Sequence, residues 1–97
     1  MSFPRLTISR SNAGEVQVLM NPEARDRLIQ LLQKLSPSND HFHLQAVEDN
    51  NLLQLSEIPY REDDEVFSAV KVLLRLDEWD RKYFPHVMTH EDFKETQ

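Results

Sequence analysis

The sequence predicts an α+β fold: a two-layer sandwich in which an antiparallel sheet of about five strands carries one main helix (β-β-α-β-β-β). A short C-terminal helix follows. Three observations predict it. Alternating apolar residues flank the chain's only glycine, a capped Leu-rich helix starts at Asn21, and alternation resumes at His41 after the hard stop of Ser36-Pro37.

Residues Arg5 to Ser9 and Glu15 to Met20 read as a hairpin, with Leu6 and Ile8 alternating on one strand and Val16, Val18 and Met20 on the other. Ser11-Asn12-Ala13-Gly14 is its turn, and Gly14 is expected at positive φ. Asn21-Pro22-Glu23 opens the helix. The Asn side chain accepts an orphan amide, Pro22 lacks only an N–H the first turn does not need, and Glu23 meets the positive dipole end. The helix runs from about Pro22 to Leu35, with Ala24, Leu28, Leu31, Leu32 and Leu35 as one apolar stripe and Ile29 beside it.

A third strand covers His41 to Val47, with His41, His43, Gln45 and Val47 on one face and Phe42, Leu44 and Ala46 on the other. Glu48 to Asn51 is a turn. A fourth strand covers Leu52 to Glu57, and Pro59, which cannot donate to a ladder, closes it. Glu65 to Leu76 fits two periods. As a strand, Val66, Val70, Val72 and Leu74 share a face, leaving Leu52, Phe67 and Leu73 as outward apolar residues. As a helix, Val66, Ala69, Val70, Leu73 and Leu74 form a stripe behind Asp63, Asp64 and Glu65. The β-branched residues favour strand. Asp77 to Phe84 reads as a short helix whose Trp79, Tyr83 and Phe84 cap the core, and Pro85 interrupts it. Thr89 then caps a last frayed turn. Residues 1–84 therefore form one α+β domain and residues 85–97 a tail.

The chain has 97 residues, enough for one modest core, and no cysteine. Thiolate zinc sites, disulfides and thiol nucleophiles are thereby excluded. No apolar run reaches membrane-spanning length, and the N-terminus lacks a signal-like core, so a cytoplasmic protein is expected. Seventeen acids against eleven bases give a net charge of −6. The basic residues are scattered, which argues against nucleic-acid binding, while an acidic surface favours a basic protein partner.

The chemistry-bearing residues fall in two groups. His41 and His43, at i and i+2 on a strand, form a metal half-site if another element supplies further ligands, and His86 and His90 are the remaining imidazoles. Nothing in the sequence brings the two pairs together, so His41 and His43 are read as outer-face residues and no metal or other cofactor is expected. The acidic run Glu62-Asp63-Asp64-Glu65 beside Tyr60 is either a solvated loop or a contact patch with an aromatic anchor. One glycine builds no phosphate-cradling loop, and no serine sits in a nucleophile elbow, so an enzyme is not expected.

In order, Asn21-Pro22-Glu23, the Leu-rich helix, His41-Phe42-His43-Leu44, Leu55-Ser56 and Val70-Lys71-Val72 resemble the bacterial immunity protein 32 family, over roughly Leu6 to Leu74. Ala24-Arg25 stands where that family commonly has Gly-Leu, and Ser68-Ala69 where it tends to have a His pair. The resemblance implies a strand at Val70-Lys71-Val72. It also implies a non-enzymatic, antitoxin-like protein that neutralises a cognate toxin by occluding it. Candidate contact residues are Tyr60, Glu62, Asp63, Asp64, Glu65, His41 and His43. A second reading is a stand-alone domain that acts as a homodimer through its outer sheet face or an exposed edge strand, and a third is a His-based metal-binding protein.

Overall fold

The computed structural model describes residues 3–47 and 53–88. Strands β1 (Leu6–Arg10) and β2 (Val16–Met20) form the expected hairpin, pairing from Leu6↔Met20 to Arg10↔Val16. Gly14 sits at φ +90°, a conformation open to glycine at little steric cost, and its N–H donates to the Ser11 carbonyl at 2.8 Å.

Helix α1 (Pro22–Gln33) follows at once. Its Asn21 cap has three tasks. Oδ1 accepts from the Ala24 N–H at 2.9 Å and from the Arg5 N–H at 3.0 Å, while Nδ2 donates to the Phe3 carbonyl at 2.8 Å. One side chain thus closes the helix start and ties it to the residues leading into β1. At the other end the Asn39 amide donates to the Lys34 carbonyl at 3.0 Å, satisfying a helix-terminal acceptor just past Pro37. Ala24 is fully buried, and Leu28, Leu31 and Leu35 pack against the core. Leu32, expected in that stripe, is exposed, so the buried stripe is narrower than the spacing implied.

The expected single sheet is divided in two, because one stretch of chain serves both halves. Strand β4 (Glu65–Val66) pairs with β1, and β5 (Ala69–Leu73) pairs with β3 (His41–Gln45), giving orders β2-β1-β4 and β3-β5, all antiparallel. The ambiguous 65–76 segment is therefore extended where it pairs. Between β4 and β5 the Phe67 N–H donates to the Ile8 carbonyl at 2.9 Å, and the Ser68 carbonyl accepts from the Ala46 N–H at 2.9 Å. Phe67, Val70 and Val72 all pack on the core. The three-residue step from Phe67 to Val70 breaks the two-residue alternation, and the chain changes sheet there. Phe67 was expected to point outward and instead joins the core; Leu73 is exposed as expected.

The expected fourth strand, Leu52 to Glu57, is reduced to one parallel bridge, Leu6↔Leu55. Its amides serve different sheets: the Leu55 N–H donates to the Gln45 carbonyl and the Ser56 N–H to the Leu6 carbonyl, each at 2.8 Å. No ladder forms, but the segment bridges the diverging sheets and buries Leu53 and Leu55. Leu52 and the turn at Glu48 to Asn51 lie outside the described residues.

Leu6, Ile8, Ala24, Phe42, Leu44, Leu53 and Leu55 form the core, each large side chain contributing about 1.5–3 kcal/mol. On the other face of β1, Thr7 and Ser9 are also buried. Thr7 shares a shallow hollow with Ser56, Ile58, Pro59 and Tyr60, so the chain after Leu55 covers that side. Val16, Val18 and Met20 do not enter the core, because β2 is an edge strand that the helix leaves largely uncovered.

Helices α2 (Asp77–Tyr83) and α3 (Pro85–Met88) pack against each other, and neither buries a residue. Trp79, Tyr83 and Phe84, expected to cap the core, are exposed by 42%, 53% and 38%. The core is already closed by α1 and the 53–56 segment, so the C-terminal stripe is left as an arm. Thr89 lies outside the described residues. No helix among the described residues is long and apolar enough to cross a membrane.

Candidate functional site

The acidic run lies in the turn leading into β4, where the Asp64 N–H donates to the Arg61 carbonyl at 3.0 Å. Strand pairing then brings the run beside the β1–β2 turn. Arg10, Ser11, Asn12 and Gly14 face Asp63 and Glu65 across one hollow. Tyr60, Glu62 and Asp63 are exposed, forming an acidic tip with an aromatic residue beside it. Glu65 is already paired, its Oε2 2.7 Å from Arg10 Nη2. Asp64 is a correction: it is buried, and neither carboxylate oxygen has a hydrogen-bond partner among the described residues, as is also true of Ser9 Oγ. Its carboxylate oxygens are therefore out of reach of a partner.

His41 and His43 sit on the exposed face of β3, with Phe42 and Leu44 buried beneath, as alternation requires. Their rings meet edge to face, with centroids 5.2 Å apart. Asp40 Oδ1 lies 2.8 Å from His41 Nδ1. An ionised carboxylate only accepts, so Nδ1 carries the proton and Nε2 is the ring's remaining polar atom. The same hydrogen bond holds the Asp40 carboxyl below its ordinary value of 3.8. His41 pairs with Leu73, whereas the acidic run ends at Glu65, the first residue of β4; the extended chain between them spans up to roughly 25 Å. The two groups of candidates lie on different sheets and line different hollows.

The imidazoles line a cleft of about 370 Å³ between α1 and β3. Arg27, Gln30 and Lys34 enter it from the helix, with Asn39 at its end. Leu31, Leu35, Phe42 and Leu53 supply its apolar surface. His86 meets Phe84 edge to face, with centroids 6.2 Å apart, in the C-terminal arm, and His90 lies outside the described residues. Among the described residues no three of His, Asp and Glu come together in a geometry that could hold a metal.

A third group was missed in the sequence. The Arg75 guanidinium lies 4.4 Å from the Trp79 ring centroid and 5.4 Å from that of Phe84, and Trp79 meets Tyr83 at 4.7 Å. Arg75 Nε is also 4.0 Å from Asp80 Oδ1. Stacking on one guanidinium presets these rings without burying them. The signal was the spacing of Leu76, Trp79, Tyr83 and Phe84 at i, i+3, i+7 and i+8. It marks an amphipathic helix but not what covers the apolar side.

No protein-family model matches this chain, and no curated protein or solved structure is significantly similar to it.

Proposed function

We propose that this chain is a non-enzymatic binding protein, antitoxin-like or immunity-like, that docks on a cognate bacterial toxin and neutralises it. The observation that carries this reading is the exposed Arg75–Trp79–Tyr83–Phe84 cluster on an arm with no buried residue. Trp, Tyr and Arg are the residues that dominate binding energy at interfaces, and apolar side chains gathered on an unburied arm mark an interaction surface. Exposed Glu62 and Asp63, with the net charge of −6, supply electrostatic steering toward a basic partner. The resemblance of the His41-Phe42-His43-Leu44 stretch and its flanking motifs to immunity protein 32 supports the same reading.

Co-expression with the product of the neighbouring gene, followed by co-purification and a protection assay, tests it. Trp79→Ala with Tyr83→Ala is expected to weaken capture by about 100-fold or more while leaving the circular dichroism unchanged. Failure to bind or protect against any adjacent toxin domain would count against the proposal.

A homodimeric module is the second reading, favoured by β2, an edge strand with Val16 and Val18 exposed. Light scattering on a size-exclusion column decides it; a strict monomer removes it.

A further inference from the structure

We infer that the cleft between α1 and β3 binds a small organic anion, an apolar body ending in a carboxylate or phosphate. This goes beyond the partner-binding reading and uses none of its arm residues.

Charge is the first argument. The chain carries six more acids than bases, yet among the described residues the cleft is lined by Arg27, Lys34, His41 and His43 and by no acid. A chain of net negative charge repels anions at long range, so an anion site needs cations that are locally uncompensated. Those on α1 are. The neighbouring Asp26 is engaged by Arg25 at 3.1 Å, and neither Arg27 nor Lys34 has an ion pair among the described residues. Asp40, the acid beside the cleft, is committed to His41 Nδ1 at 2.8 Å.

Position is the second. Arg27 and Lys34 stand seven residues apart on one helix face, about 10 Å along the axis, with Gln30 between them. Both side chains are long enough to converge on one head group, and guanidinium and ammonium bind oxyanions by charge-assisted hydrogen bonds. The third argument is the apolar surface. Leu31, Leu35, Phe42 and Leu53 have no use for a bare ion, but they fit an aliphatic or aromatic body. At about 370 Å³ the cleft lies at the small end of ligand-site volumes.

Titrating the labelled full chain by NMR with four probes tests this: phenyl phosphate, benzoate, inorganic phosphate and benzyl alcohol. At least one aryl anion is expected to shift Leu31, Phe42 and His43 saturably. Inorganic phosphate, which lacks the body, and benzyl alcohol, which lacks the charge, should bind about tenfold more weakly or worse. Which aryl anion wins assigns the head group. Arg27→Gln with Lys34→Gln should weaken aryl-anion binding about tenfold or more and leave the amide spectrum dispersed, while Arg27→Lys with Lys34→Arg should keep it. Trp79→Ala should leave it unchanged. Absence of any saturable shift, equal binding of benzyl alcohol, or an unaffected double-Gln variant would overturn the assignment.

Discussion

Asn21 shows how a single side chain joins levels of structure. Its capping role follows from Asn-Pro-Glu alone, because the partner amide is three residues away. Its bonds to Arg5 and Phe3 cross more than a dozen residues, and no local pattern announces them. Asn21→Ala is expected to cost about 2 kcal/mol, at the upper end of cap deletions, read from chemical denaturation. Asn21→Asp keeps the acceptor and should recover about half. Asp64 has the opposite character. A buried carboxylate with no hydrogen-bond partner among the described residues is a cost to the fold, so Asp64→Asn, which removes the charge at constant shape, should raise stability by about 1–3 kcal/mol. A loss of stability would show that the charge is compensated. Asp40 governs a pH effect. Its lowered pKa, caused first by the hydrogen bond from His41, means its contribution is present above the ordinary value of 3.8 and fades as pH falls through the lowered one. Stability curves of the native chain and Asp40→Asn should therefore differ above about pH 4, draw together as pH falls further, and converge only below the lowered value.

At the scale of elements, local pattern did well where partners are near in sequence. The β1–β2 hairpin, the positive φ of Gly14, α1, and the in-out alternation of Phe42 and Leu44 were all legible, because each depends on neighbours within a turn or a strand. Two things were not. The 53–56 segment has the alternation of a strand but divides its amides between two sheets, and alternation reports faces, not partners. The step at Phe67 moves a residue from the expected outer face to the core, and no glycine or proline marks it, only Ser68. Leu55→Ala, in a segment that forms no ladder, should still cost about 2–4 kcal/mol. Leu32→Ala, on a helix position that looked equally buried, should cost about 1 kcal/mol or less. Paired thermal melts check both.

For the whole molecule, the division is between a core that is closed and an arm that is not. Trp79, Tyr83 and Phe84 were expected to cap the core because their spacing is that of a packed helix, and the spacing is correct. What spacing cannot report is whether the core still has room, and here α1, Leu53 and Leu55 have filled it. Likewise the sequence lists the acidic run and the His pair as candidates without placing one relative to the other, whereas strand register sets them at opposite ends of the 65–73 stretch. Hydrogen exchange should separate the parts. Amides of Leu6 to Ser9 are expected to exchange only through global unfolding, and those of α2 through local opening at least about 100-fold more often. Equal protection would mean that the arm is packed on something after all.

The stretch from Glu65 to Leu73 is shared by both sheets and is made after all their other strands. A ribosome that stalled before it would release a chain with β1 missing β4 on one side and β3 missing its whole partner. Each is an open template for another chain. The order of synthesis therefore makes this segment the keystone, and truncation before residue 65 should yield aggregates where loss of the arm should not.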